Sequence, residues 1–200
     1  MVTTGFSRIH VAKYAAAGGT VTYSDVRELA RARNMDISVD TTEESNFYAN
    51  NALAECEPAA FKSGKVKLGV DGLSAEEEAF VLGIDTATNK MSVGEKEIPV
   101  VKFGKSMNPP YLGIGAVKRM QLNGKVSYRP VILTKGRFAV PPEAAETQEE
   151  RINWQTQDLE ATIMRDDTAE ENWKIIPVEN MATEDEAVAF IVAVLGGKKA

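Results

Sequence analysis

The pattern of this sequence predicts a mainly β fold, a sandwich or barrel of short strands with two helices as decoration. Three observations lead there. Several segments alternate apolar and polar residues with period two, Asn123-Gly124 separates two extended runs, and only two stretches have helical spacing, each opened by a capping box.

In chain order, Ile9 and Val11 alternate with polar neighbours in a first strand over Arg8–Tyr14, which the Gly18-Gly19 pair then breaks. Met35, Ile37 and Val39 share one face of a second strand, and Asp36, Ser38 and Asp40 share the other. Residues 41–62 hold Phe47, Tyr48, Leu53, Asn50-Asn51 and several acids without sustained period, which predicts a long loop. Clean alternation returns at Val66, Leu68 and Val70, with Lys65 and Lys67 outward.

Ser74 and Glu77 form the first capping box, with acids in the first turn and Gly83 placed to end the helix. Asp85 to Lys96 is polar and turn-rich, a surface excursion. Tyr111–Leu122 and Lys125–Thr134 then flank Asn123-Gly124, the strongest short-range hairpin signal, so Leu122 should oppose Lys125 and Arg119 should oppose Tyr128. Pro130 cannot donate to a ladder and predicts an edge or a bulge.

Between Ile152 and Met164 the apolar parity flips near Gln157, from Ile152 and Trp154 to Leu159, Ala161 and Ile163. A bulge or a crossing between sheets would produce that flip. Thr183 and Glu186 open the second helix, over residues 183–195, whose stripe is Ala187, Val188, Ile191, Val194 and Leu195. Gly196-Gly197 stops it, and Lys198 to Ala200 follow as a frayed tail. The whole of residues 1–200 is expected to be one domain.

Composition excludes more than it assigns. Twenty-nine acidic against 23 basic residues give a net charge of −6, the wrong sign for a surface that neutralises phosphates. No run approaches the eighteen or so apolar residues of a membrane span, and the N-terminus has no secretory pattern, so a soluble, cytoplasm-made chain is expected. Cys56 is the only cysteine and its neighbours Glu55 and Glu57 would dull a thiolate. His10 is the only histidine and lies in a predicted strand, where a structural role is expected.

Glu76, Glu77 and Glu78 point about 100° apart on a helix and do not converge on one ion. Asp166-Asp167 and the acids from Glu143 to Glu150 read as solvated turns. Gly113-Ile114-Gly115 has no third glycine or following helix, so it predicts close packing against one strand face, not a nucleotide loop. Trp154 and Trp173 read as core or interface anchors. No catalytic residue, cofactor or metal site is expected.

Several segments in order resemble the major tail tube proteins of long, non-contractile (siphovirus-type) bacteriophage tails. They are Asn46–Glu55 (NFYANNALAE), Phe61–Leu73 (FKSGKVKLGVDGL), Pro109–Lys118 (PPYLGIGAVK), Leu122–Arg129 (LNGKVSYR), Lys135–Pro141 (KGRFAVP) and Ile152–Arg165 (INWQTQDLEATIMR). The chain departs from the family pattern at Asn50, Gln157 and Ala161, where an acid, a proline and a glycine are commoner.

The resemblance implies a fold of two packed β-sheets with a flanking helix, similar also to the type VI secretion tube protein. It implies a homohexameric ring in a self-assembling, stacked tube, a structural virion protein made in the host cytoplasm. A sheet from each subunit would join its neighbours around a lumen through which phage DNA passes without specific binding. The tape measure protein, the tail terminator and distal tail proteins would be further partners, with no membrane contact. If each of six subunits gives four strands, a spacing of about 4.8 Å and tilt of about 40° imply a backbone diameter of roughly 48 Å, wide enough for duplex DNA.

On that reading Asp36, Asp40, Asp158 and Glu160, on the polar faces of predicted strands, are the lumen candidates, because a negative lumen keeps DNA from sticking. Phe47, Tyr48 and Leu53 would either pack on the next ring or cover their own subunit's core. A tube or terminator protein of a contractile tail or type VI system would share the fold. A ligand-binding barrel would need convergent polar groups in a pocket that the sequence does not display.

Overall fold

The computed structural model describes residues 1–86, 88–105, 107–143, 147 and 156–196. β1 (Val2–Ala17) and β2 (Thr20–Glu28) form a hairpin turned by Gly18 and Gly19, whose φ values of 59° and 78° are those of a tight two-residue turn. No strand is expected from the sequence at β2. Its period is broken by Asp25 at φ 54° and by a register shift opposite Val11 and Lys13, so alternation fails where the pairing is irregular.

β3 (Ala32–Thr41) pairs with β6 (Phe61–Val70), and between them stand β4 (Ser45–Ala49) and β5 (Ala52–Glu57). This corrects the expected loop at 41–62. It is an antiparallel hairpin turned by Asn50 and Asn51, at φ 52° and 61°. Period two is invisible there because both faces are exposed, so no burial selects one face as apolar.

After β6 comes α1 (Ala75–Leu82), with both halves of the Ser74–Glu77 capping box formed and Gly83 at φ 66° closing it. A second small hairpin follows, β7 (Lys90–Val93) and β8 (Lys96–Pro99), inside the expected surface excursion. β9 (Leu112–Leu122) and β10 (Lys125–Phe138) meet at Asn123-Gly124 with Leu122 opposite Lys125 and Arg119 opposite Tyr128, the expected register. β11 (Gln157–Met164), β12 (Lys174–Ile175) and α2 (Glu184–Val194) complete the chain.

The fold is mainly β, with one eight-stranded sheet in the order β2-β1-β9-β10-β11-β6-β3 and β12 added on β10. Two packed sheets in a sandwich or barrel were the expectation; the long strands join in one continuous ladder. The reason lies in β10, whose first part pairs with β9 and whose last four residues, Lys135 to Phe138, pair with β11, across a register shift between Leu133 and Gly136. One long strand thus serves both halves of the fold. The parity flip expected near Gln157 cannot be set beside it, since Ile152 and Trp154 lie outside the described residues, as do 144–146, 148–150 and the tail 198–200.

The outermost strands, β2 and β3, are consecutive in sequence and joined by only Leu29 to Arg31, with Leu29 N donating to Ile9 O at 2.8 Å. A sheet whose two ends are tied so closely must curl. Its concave face holds one core whose most buried members are Ile9, Val11, Leu68, Ile114, Leu133 and Leu159, with Phe80 of α1 added and Met35 and Ile37 of β3 packed against it. Its interior is therefore filled by side chains.

α2 covers the convex face of β1, β9 and β10 through Ala187, Ile191 and Leu195. Its stripe and its Thr183–Glu186 capping box are both as expected. Gly113 and Gly115 explain themselves here. A Cβ on Gly113 would stand 2.6 Å from both Leu195 and Tyr23, and one on Gly115 would strike Ile191.

Pro130 sits in a strand that is interior to the sheet order, which corrects a plain edge assignment. Its local surroundings still suit proline. Tyr128 exchanges backbone hydrogen bonds with Met181 on the side away from β9, so by alternation the position of the missing Pro130 N–H also points away from β9. Trp173 stacks on Phe61, with ring centroids 4.5 Å apart and planes 2° from parallel.

Candidate assembly surfaces

The four acids named as lumen candidates come from distant parts of the sequence, and the fold gathers them on one face. Across β3-β6-β11 the inward residues are Ile37, Val66, Leu68, Leu159, Ala161 and Ile163. Register then fixes the outward set: Asp36 lies opposite Lys67, Lys67 opposite Glu160, and Asp158 opposite Gly69. Asp40 lies opposite Ser63, whose hydroxyl donates to it at 3.3 Å.

This face holds four carboxylates and two lysines, a balance of −2, with Ser38, Gly69 and Thr162 between them. By alternation Met164, at the end of β11, shares this face with Asp158, Glu160 and Thr162. Lys65 Nζ donates to Glu160 Oε1 at 2.8 Å, and that hydrogen bond holds the Glu160 carboxyl below its usual range while raising the lysine. Both groups are open to solvent, so the pair orders the surface more than it stabilises the fold. Lys65 and Lys67 read as outward in sequence, but only cross-strand register reveals them as the partners of the acids.

The same face runs out to an open margin. β3 carries Asp36 and Asp40 and has β6 on one side only, while β2 has β1 on one side only. The outer backbone groups of both strands have no ladder partner among the described residues, which makes each a template for another strand.

Two hairpins stand away from this body. On the β4–β5 arm Phe47 and Tyr48 are each 64% exposed and Leu53 is 54% exposed, so the alternative in which they cover their own core is overturned. Tyr48 pairs with Leu53 and Phe47 with Glu55. The β7–β8 arm likewise exposes Met91, Val93 and Ile98, with Met91 directly opposite Ile98 and Val93 opposite Lys96. Gly94 turns this arm at φ 64°, but Lys96–Pro99 does not alternate, so sequence pattern did not disclose it.

Comparison with protein-family models and with curated proteins finds no match for this chain. Its surfaces have to be read on their own chemistry.

Groups that could do catalysis are dispersed. His10 is buried on β1, its Nδ1 3.1 Å from the carbonyl oxygen of Arg8, and Cys56 is exposed on β5. Among the described residues no three histidine, cysteine or acidic side chains gather as a metal site would require, and no helix is long and apolar enough to cross a membrane. Asp166 is the one buried acid among them, and its Oδ1 accepts from Thr168 N, Thr168 Oγ1 and Asn172 N, which spends it on holding a turn.

A cleft of about 530 Å³ opens beside α1, lined by Lys13, Arg27, Phe80, Asp85 and Asn108. Arg27 lies over the Phe80 ring at 3.9 Å, and Lys13 is held by Asp25 at 2.7 Å. Both signs of charge line it, and Asp85 accepts from the Thr88 hydroxyl at 2.6 Å.

Proposed function

We propose that this chain is a tail tube subunit, a structural protein that closes into hexameric rings and stacks them into a conduit for phage DNA. One observation carries the reading: the acid-rich polar face continues to the unpaired edge of β3. Copies joined edge to edge would satisfy that backbone and extend the same face around an axis. The wall so formed would be polar, net negative and free of aromatic side chains on which bases could stack, which suits transit of a polyanion.

The exposed apolar arm fits the same reading. Phe47, Tyr48 and Leu53 gain burial only against another molecule, and the next ring is the partner that a stacked tube supplies. The tape measure, terminator and distal tail proteins would cap or fill such a tube, and the assembled virion would be its location.

Negative-stain microscopy of the concentrated, purified chain tests this directly. Long hollow tubes support the proposal. Rings that never stack would point to a terminator of a related contractile or type VI system, and a featureless monomer at every concentration would overturn the assembly reading.

A further inference from the structure

The sheet has a third unpaired margin besides the outer edges of β2 and β3. β1 is bonded to β9 from Val2 to Lys13, but β2 joins its other side only from His10 onward, which leaves residues 2–7 with one edge unpaired among the described residues. That stretch, VTTGFS, carries no charged side chain, and Val2, Thr3 and Thr4 are exposed. An uncharged, exposed edge is a template for another strand.

Arg119 brings a cation to this margin. By alternation with Ile114 it lies on the outward face of β9, and it crosses β1 over Gly5, where an added Cβ would stand 3.3 Å from the arginine Cβ and 3.6 Å from its Cδ. Its Nη1 then donates to Thr4 Oγ1 at 2.9 Å. Arg119 makes no ion pair among the described residues. The chain around it is basic, since residues 98–142 hold eight basic side chains and no acid. The margin of β3 has the opposite sign, because residues 36–44 hold Asp36, Asp40, Glu43 and Glu44 and no base.

Strand direction separates the two edges that could receive β3. The five ladders from β1 through β9, β10, β11 and β6 to β3 are all antiparallel, so β3 runs opposite to β1. The sixth ladder, to β2, is antiparallel too, so β2 runs parallel to β3. Rotation about a ring axis keeps strand directions along that axis, and β3 therefore meets a neighbour's β1 in the antiparallel sense, the more stable of the two. β2 is also blunted as an edge by its register shift and by Asp25 at φ 54°, and its Asp25 and Glu28 would face the acids of β3.

We propose that β3 of one copy pairs antiparallel with residues 2–7 of β1 in the neighbouring copy of the same ring. Main-chain hydrogen bonds supply most of the affinity, and the cation at Thr4 selects an acidic strand. The contact is heterologous, each copy giving β3 on one side and receiving on β1 at the other, so repetition about an axis closes a ring. This rests on the tube reading above and adds to it the strand that receives β3.

Cysteine cross-linking tests it. In a Cys56→Ser background, one cysteine at Val2, Thr3 or Thr4 is combined with a second at Ser38 or Asp40, and the assembled protein is oxidised. Disulfides demand close approach of the two Cβ atoms, so at least one combination should give a series of covalent species reaching the hexamer on a denaturing gel. The control Thr22→Cys with Ser38→Cys, which probes β2 against β3, should give none. Circular dichroism checks that the exposed replacements leave the body folded.

If the Cys56→Ser chain forms tubes but no β1 combination links chains, if the bonds form only within single chains, or if only the β2 control links them, this inference falls while the tube reading stands. If that chain and the unmodified one never assemble, both fall together.

Discussion

Ile191 of α2 occupies the space in which a side chain on Gly115 of β9 would begin. Gly113 stands in the same relation to Leu195 and Tyr23, so the helix lies on two bare stretches of backbone. α2 is drawn onto the sheet by Ala187, Ile191 and Leu195, all fully buried, and glycine is what permits that approach.

Gly115→Ala should therefore destabilise the chain by about 1–3 kcal/mol, the usual range for overpacking a filled core. Urea unfolding measures it. Adding Ile191→Ala should make the pair less costly than the sum of the two single changes, by about 1 kcal/mol or more, because the truncated side chain vacates the contested space. Strict additivity would show that the two residues do not compete.

Phe47→Ala with Tyr48→Ala should leave the body intact, since neither side chain is packed in the core. The expected change in unfolding free energy is within about 0.5 kcal/mol, as for other exposed positions. Soluble rings that no longer stack are the expected product by microscopy. Either a collapsed, unfolded chain or tubes of normal length would contradict the role given to the arm.

Lysine at Asp36, Asp40 and Asp158 reverses the sign of the polar face while leaving the Lys65–Glu160 pair in place. Tubes built from this variant should retain DNA that the original lets pass, and retention should weaken steeply with added salt, as counterion release requires. On the proposed tube function, virions carrying it should eject their genome more slowly. Ejection at the original rate would remove these residues from the lumen.

Two tyrosines give the fold an alkaline limit. Burial, reinforced by its hydrogen bond to Asp167, pushes Tyr14 up to about 12 from 10.0, and burial raises Tyr23 further still as it donates to Thr134 O at 2.8 Å. A raised folded-state value means that the neutral ring is preferred in the native state. That stabilisation is complete below pH 10 and is lost as pH rises towards 12 and beyond. Unfolding midpoints should accordingly fall above pH 10, and Tyr14→Phe with Tyr23→Phe should flatten the fall.

The acid side has the opposite sign. Lys135, donating at 2.6 Å, and the Tyr14 hydroxyl hold the Asp167 carboxyl below its ordinary value. Its contribution is present above the carboxylate range and disappears as pH drops through the depressed value. Asp167→Asn should reduce the acid sensitivity of the midpoint; an unchanged acid limb would place that sensitivity elsewhere.

By itself the sequence determined the local features of this protein. Ser74–Glu77 and Thr183–Glu186 announce both helices, Asn123-Gly124 fixes the register that sets Arg119 against Tyr128, and alternation from Val66 to Val70 or Leu159 to Ile163 tells inside from outside. These are legible because each depends on residues only a few positions apart, or on burial of one face along one strand.

Only the tertiary structure decided what depends on distant pairing. Asp36, Lys67 and Glu160 become neighbours through two ladders, the continuous sheet follows from the double pairing of β10, and β2 was hidden by a bulge at Asp25 in its pairing with β1. The arms were illegible for a different reason. Burial is what writes period two into a strand, and neither arm is buried by its own chain.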